Sequence, residues 1–166
     1  MAEQMVHTLL ELLSGIQMKE LVVFIISLIP TIELRGGIIA GYLLGLPWLR
    51  NLVVAVIANV IPVPFILFFI KKVLAFMRKH GILVKLVDWI EDRGQSKSSE
   101  VTKYEVFGLM LFVAIPLPGT GAWTGSLVAA LLEMDVKKAM LSVFAGVLVA
   151  GFIMTVLSYG LLDFIL

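Results

Sequence analysis

The chain has 166 residues, of which 60% are hydrophobic and 15% are charged, and its mean hydropathy is +1.06. Soluble domains are only about half apolar and about a quarter charged, so this composition excludes an ordinary water-soluble domain. The net charge is +1 and no basic stripe is interleaved with aromatic residues, so we expect no nucleic-acid partner. The composition and the helical patterns below predict an all-α integral membrane protein.

Catalytic and metal-binding side chains are scarce. The chain has no cysteine, and its two histidines, His7 and His80, are far apart and outside the most apolar runs. It contains no Ser-His-Asp set, no paired catalytic carboxylates and no phosphate-binding glycine loop before a strand. We therefore expect no enzymatic activity, no metal site and no cofactor.

Residues 1–18 are predicted to form an amphipathic helix that lies in the membrane interface. Apolar residues between Val6 and Ile16 share one helical face, and Glu11 and Ser14 lie on the opposite face. The segment has no basic n-region and no small-residue cleavage site, so it does not resemble a secretory signal. We treat the chain as mature.

The first predicted repeat, residues 19–80, begins with two short apolar runs around a polar break. These runs end at Pro30 and Pro47, each after about half of the ~20 residues that a helix needs to span a bilayer. We therefore predict a re-entrant helical hairpin over residues 20–46. A full transmembrane helix over residues 51–72 follows it.

The same order of a hairpin and then a transmembrane helix is predicted again after a polar linker. Pro62 and Pro64 should kink the first transmembrane helix, and residues 81–103 are predicted to be a linker that contains an amphipathic helix. The second repeat, residues 104–166, consists of a predicted hairpin over 105–133 and a transmembrane helix over 138–163. A shift of 88 residues aligns the two halves, and it superimposes Pro30 on Pro118, Gly37 on Gly125 and Leu44 on Leu132.

Each half would cross the membrane an odd number of times, so the halves would be antiparallel, as in the inverted repeats of secondary transporters. In this arrangement ten basic residues share one side: Lys71, Lys72, Arg78, Lys79, Lys85, Arg93, Lys97, Lys103, Lys137 and Lys138. By the positive-inside rule the linker is cytoplasmic and both termini lie outside the cytoplasmic membrane. The alternative is that each broken segment crosses fully and gives four spans, which would place Lys137 and Lys138 outside.

Two ionisable residues, Glu33 and Arg35, lie in the first break. Charges inside a membrane cost about 2.5–3.5 kcal/mol on insertion scales and are functional hypotheses by default. In one interpretation the two side chains pair with each other and satisfy freed backbone groups. In the other, Arg35 and the amide ends of half-helices starting near Gly36 and Ala122 form an anion pocket, with Glu33 as the proton-coupling group.

Small and polar residues around the breaks complete the predicted substrate site. Glycines expose backbone that a ligand can approach, Trp123 could line a lipid or drug path, and Asn59 could bind the loop or the substrate. The predicted set is Glu33, Arg35, Gly36, Gly37, Asn59, Gly119, Thr120, Gly121, Trp123 and Thr124. A stripe of small residues at Gly37, Gly41 and Gly45, repeated at Gly121, Gly125 and Ala129, predicts packing between the hairpins or in a dimer.

The segments 29–37 and 115–125, with their Pro, Glu, Arg and Gly residues, resemble the family of small multidrug export proteins over nearly the whole chain from Leu21 onward. That family is similar in layout to the DedA and VTT superfamily, which has paired re-entrant hairpins and includes lipid flippases and scramblases. Bacterial DedA proteins are implicated in the return of undecaprenyl phosphate across the cytoplasmic membrane. By this resemblance Glu33 and Arg35 match the acidic and basic membrane residues that those proteins require, although the second hairpin lacks the arginines usual in DedA motifs.

The leading hypothesis is a transporter or flippase that moves an amphipathic anion, such as the lipid phosphate undecaprenyl phosphate, between the two hairpins. Arg35 would bind the head group and Glu33 would couple transport to protons. One alternative is a proton-coupled small multidrug exporter, and another is a non-transporting membrane scaffold or assembly factor. Expected partners are membrane lipids, the lipid phosphate or amphipathic small molecule, and a second copy of the chain in a homodimer.

Overall fold

The computed structural model describes residues 18–81, 102–117 and 119–161, and these residues form helices and turns without a strand. The helices are α1 (Lys19–Leu28), α2 (Glu33–Leu43), α3 (Trp48–Val60), α4 (Pro62–Lys79), α5 (Thr102–Ala114), α6 (Ala122–Leu131) and α7 (Val136–Thr155), which continues into a π-helix over Val156–Leu161. The predicted interfacial helix (1–18) and linker (81–103) lie, apart from their edges, outside the described residues.

Helices α1 and α2 pack side by side and run in opposite directions. At one end, the Lys19 ammonium donates a hydrogen bond to the carbonyl of Leu44 at 2.6 Å, so the start of α1 lies beside the end of α2. Nearer the turn, Gly37 lies against the side chain of Ser27. Since α1 has 10 residues and α2 has 11, each is about 15 Å long, roughly half the hydrocarbon thickness of a bilayer.

Helices α5 and α6 form the second short pair. Gly125 of α6 lies against the side chains of Val113 and Leu109 of α5. The chain between the two helices turns at Gly119, whose φ of +82° is a left-handed conformation that glycine adopts without strain. A short helix, a break and a second short helix therefore precede each long helix.

Two helical stretches are the candidate membrane spans of the described residues by length and composition, Trp48–Ile70 and Val136–Gly160. The first comprises α3 and the start of α4, and the Ile61 amide still donates to the Ile57 carbonyl at 3.1 Å where they join. Because Pro62 and Pro64 carry no amide hydrogen, they leave two carbonyls of this stretch without their usual helical donors. The predicted spans over 51–72 and 138–163 correspond to these two stretches.

The 88-residue spacing recurs in the backbone where each short pair ends. Gly45 and Glu133 are both left-handed, with φ of +69° and +56°. The next residue closes the same wide turn in both halves, since the Leu46 amide donates to Gly41 at 2.9 Å and the Met134 amide to Ala129 at 3.0 Å. Pro47 and Asp135 then precede the long helices with φ of −58° and −56°.

The glycines of the small-residue stripe serve mainly contacts inside each half. Gly37 faces α1, Gly41 faces the Asn51 side chain of α3, and Gly125 faces α5. The prediction that this stripe packs the two hairpins against each other is therefore wrong for these three positions. Close approach between the halves uses Gly121, the first glycine of the second stripe, which lies against Glu33, and Gly151 of α7, which lies against Leu52, Leu34 and Val56.

Gly146 allows α7 to approach α5, which gives a direct test of this packing. A methyl carbon at Gly146 would lie 2.7 Å from the Met110 carbonyl oxygen and 2.7 Å from Cβ of Val113. We expect Gly146→Ala to lower the free energy of unfolding by about 1–3 kcal/mol through overpacking. The measurement is thermal unfolding in detergent. The control is Gly108→Ala, where a methyl group meets nothing within 4 Å and a gain of up to about 1 kcal/mol is expected.

Candidate functional site

The tips of the two hairpins meet at Glu33. This residue begins α2 in a left-handed conformation, with φ of +54°, and only 4% of its surface is exposed. Its carboxylate accepts hydrogen bonds from the backbone amides of Ala122 and Trp123, both at 3.2 Å. Because these amides form the first turn of α6, where a helix has unpaired donors and a partial positive charge, the first hairpin supplies the cap of a helix in the second.

Gly121 makes room for this contact. A Cβ at this position would overlap the Glu33 carboxylate, although the backbone φ of −113° is one that any residue adopts. The requirement for glycine is therefore the space that the carboxylate takes. Glu33 and Gly121 are also 88 residues apart, so equivalent positions of the two halves touch each other here.

Arg35 binds the other end of the same break. Its guanidinium donates to the carbonyls of Ile115 at 3.1 Å, Leu117 and Thr120 at 2.7 Å, and to the Thr120 hydroxyl at 3.1 Å. These carbonyls lie in the break just after the end of α5, where the partial negative charge of the helix also favours a cation. The Thr120 hydroxyl donates in turn to the carbonyl of Ile115 at 2.8 Å. We call Glu33, Arg35 and their partners in the second hairpin the tip junction.

Two local expectations need correction. Helix α2 begins at Glu33 rather than near Gly36, and the Gly36 amide already donates to the Ile32 carbonyl at 3.3 Å, so it is not a free amide end. Glu33 and Arg35 also do not form an ion pair with each other. An ion pair does join Arg50 and Glu20, at 3.8 Å.

The remaining predicted site residues divide into two groups. Trp123 is part of the tip junction through its backbone amide, and Thr120 and Gly121 through the contacts above. Gly37 packs on α1, and Gly119 is an exposed turn residue with open space around it. Thr124 is half-buried one residue beyond Trp123.

Several buried polar atoms have no hydrogen-bond partner in the described part of the protein. At the tip junction these are Nε of Arg35 and Nε1 of Trp123, both N–H donors. In α3, the Asn59 side chain is fully buried, and both its amide nitrogen and its oxygen lack partners. Unsatisfied donors in an apolar interior are costly, so these atoms are positions where a polar ligand or water would be stabilised.

A polar cluster around Asn51 and Tyr159 escaped the sequence analysis. Asn51 is fully buried, and its side-chain nitrogen donates to the carbonyl of Ile38 at 2.7 Å and to the Tyr159 hydroxyl at 2.9 Å. The only sequence signal was that each is a polar residue at the end of a predicted transmembrane helix. Such residues are common at membrane interfaces, so the signal pointed to an interfacial location.

The tip junction can hold one negative and one positive side chain in an apolar molecule without pairing them directly. Each charge is neutralised by the partial charges and hydrogen-bonding groups of a helix end in the other hairpin. Loss of the charge on Glu33 would weaken the contact between the hairpins and leave Arg35 as a net positive charge. The described residues contain no group of three His, Cys, Asp or Glu side chains that could hold a metal ion.

Glu33→Gln tests the tip junction as a structural contact. The amide side chain keeps the size of Glu33 but loses the charge, and its NH₂ group would face one of the two donor amides. We expect a loss of about 1.5–3 kcal/mol in the free energy of unfolding, as for a buried charge-assisted hydrogen bond. The measurement is thermal unfolding in detergent at fixed pH.

Glu133→Gln is the matched control for that variant, because Glu133 is exposed and has a similar left-handed φ of +56°. Because water screens the contacts of an exposed carboxylate, we expect a loss below about 1 kcal/mol there. Equal losses in the two variants would show that the tip junction contributes nothing beyond a general effect of removing an acid.

The chain matches the profile of a known protein family over most of its length. The profile of the family described as "Putative small multi-drug export protein" matches residues 33–153, which include both sides of the tip junction and most of the two long helices. None of the curated proteins and none of the solved structures matches the chain. Together with the two long apolar helices, the family identifies a membrane protein. The match covers well over half of the chain, so the protein belongs to this small multi-drug export family.

Proposed function

We propose that this protein is a membrane transporter that moves amphipathic anions, and that the tip junction is its binding and coupling site. The family description supports export of small molecules in general. A buried acid and a half-buried arginine in an otherwise apolar chain are expensive, and such residues mark transport pathways and proton relays in membrane proteins. The substrate class follows from the charges at the site.

The observation that carries this proposal is the contact of the Glu33 carboxylate with the first-turn amides of α6. A helix N-terminus is a favourable site for an anion, and here the protein's own carboxylate takes that place. When Glu33 accepts a proton, the amides lose their negative partner and the charge of Arg35 is no longer balanced within the tip junction. A substrate anion can then replace it, so proton uptake and anion binding are coupled by charge.

Two unpartnered donors favour an anionic head group over a cation. Nε of Arg35 and Nε1 of Trp123 are buried N–H groups that lack acceptors among the described residues. A phosphate offers several acceptor oxygens, and the planar guanidinium suits it. Our specific hypothesis is a lipid phosphate, such as undecaprenyl phosphate, whose tail stays in the bilayer while the head group passes between the hairpins.

The membrane arrangement that we propose is an inverted repeat of two re-entrant hairpins in the cytoplasmic membrane. The antiparallel packing of α1 on α2 supports it, because the hairpin then enters and leaves by one face. Helices of about 15 Å are also too short to cross ~30 Å of hydrocarbon alone. The linker would be cytoplasmic and both termini outside, and a homodimer of such chains completes the proposal.

Cysteine labelling tests this topology directly, because the natural chain has no cysteine. Single cysteines replace three exposed residues, Lys79 at the end of α4, Lys137 at the start of α7 and Trp48 at the start of α3. In intact cells, an impermeant maleimide should label position 48 only, because the hairpin arrangement puts 79 and 137 in the cytoplasm. Labelling of position 137 from outside would favour four full spans instead.

Transport in proteoliposomes tests the function. The wild-type protein should move a fluorescent short-chain phosphatidic acid across the bilayer, faster when a pH gradient is imposed. Glu33→Gln and Arg35→Lys should lower that rate by roughly tenfold or more, since each removes a charge-assisted interaction at the site. Glu133→Gln, at an exposed acid with a similar left-handed backbone, is the matched control and should keep the wild-type rate.

The outcomes separate the rival functions. Movement of the lipophilic cation ethidium in place of the lipid phosphate would favour a proton-coupled drug exporter, in which cation and proton alternate at Glu33. One observation favours the alternative of a non-transporting scaffold. Both oxygens of Glu33 and both terminal nitrogens of Arg35 already bind protein groups. Folded wild-type protein that moves neither probe would contradict the transporter and leave the scaffold.

A further inference from the structure

A second polar contact joins the two halves at the open end of the first hairpin. The Tyr159 hydroxyl donates to the carbonyl of Leu46 at 2.8 Å and accepts from the Asn51 side chain at 2.9 Å. The Tyr159 ring also meets the ring of Tyr42 edge to face, with centroids 5.1 Å apart. We call Tyr42, Asn51 and Tyr159 the tyrosine cluster.

The tyrosine cluster holds the π-helix of the second half against two helices of the first half, and a passage between the halves would have to separate them. Tyr42 belongs to α2, Asn51 to α3 and Tyr159 to the π-helix at the end of the second long helix. Gly41 lies directly against the Asn51 amide, so this side chain is wedged between α2 and α3. The contacts that separate the cluster from the tip junction include Gly151 against Leu34 and Leu52, and they are apolar.

Two of the three residues of the cluster have no polar counterpart at the equivalent position of the other half. A shift of 88 residues from Asn51 leads to Ala139 and from Tyr42 to Ala130, and neither side chain can form such hydrogen bonds. The two halves are therefore alike in the turns at Gly45 and Glu133, but they differ at the open ends of their hairpins. One end is fastened by a polar cluster, whereas two of the three corresponding positions at the other end are alanines and the third is Lys71.

We infer that the tyrosine cluster is a gate for substrate at the open end of the first hairpin. This inference rests on the proposed function, because it assigns the cluster to the path that leads to the tip junction. The π-helix supplies the moving part, since a π-turn holds one more residue than an α-turn and such bulges occur often at functional sites. Conversion of that turn to α-helix would rotate Tyr159 about the helix axis and release both Asn51 and Leu46.

Tyr159→Phe tests the gate, because it removes the hydroxyl and keeps the ring that packs on Tyr42. The reporter is a single cysteine replacing Ile38, which is fully buried and whose carbonyl binds Asn51. An impermeant maleimide is added to intact proteoliposomes that hold the full chain. We expect Tyr159→Phe to raise the labelling rate by roughly five- to a hundredfold, the shift that corresponds to losing the two neutral hydrogen bonds of the hydroxyl.

Thr155→Val is the matched control, because it removes a buried hydroxyl one turn earlier that bonds to Gly151 of its own helix at 2.8 Å. The labelling rate should stay at the wild-type value in this variant. An unchanged rate in Tyr159→Phe, or an equal rise in both variants, would overturn the gate. Transport of phosphatidic acid is measured separately, so a wild-type protein that moves no substrate contradicts the proposed function and not the labelling result.

Discussion

The contact between the two hairpin tips is the constraint on which the rest of the structure depends. Each hairpin contains helices about half as long as a bilayer is thick, and each such helix leaves backbone groups at its ends without partners in the same helix. Glu33 satisfies the amides that begin α6, and Arg35 satisfies the carbonyls that follow α5. One short segment of the first half therefore completes both broken ends in the second.

This arrangement explains why an acid and a base can lie two residues apart without pairing. Their charges face opposite ends of a break, where the helix ends provide partial charges of the complementary sign. A direct ion pair would leave those helix ends unsatisfied, which costs more in a membrane than in water. The same arrangement makes the junction sensitive to protonation, because the state of Glu33 changes the net charge of the whole site.

The two halves share their framework and differ in their chemistry. The left-handed turns at Gly45 and Glu133 have the same hydrogen bonds 88 residues apart, so the repeat is maintained in the backbone. The acid at Glu33 faces glycine at the equivalent position, because a second carboxylate there would collide with the first and repel it. These differences lie where the halves touch, at the tip junction and at the tyrosine cluster. The path and the gate that we propose lie at the same two places.

The sequence by itself determined the membrane class, the two long helices and the positions of the two breaks. These features depend on local composition, on apolar run length and on prolines, all of which can be read within about twenty residues. The tertiary structure decided that Glu33 and Arg35 bind the other hairpin, and that Tyr159 reaches Asn51. Those partners lie 80 to 108 residues apart, and helix periodicity carries no information about which distant backbone groups are left unpaired. Only packing of the whole chain brings the matching donors and acceptors together.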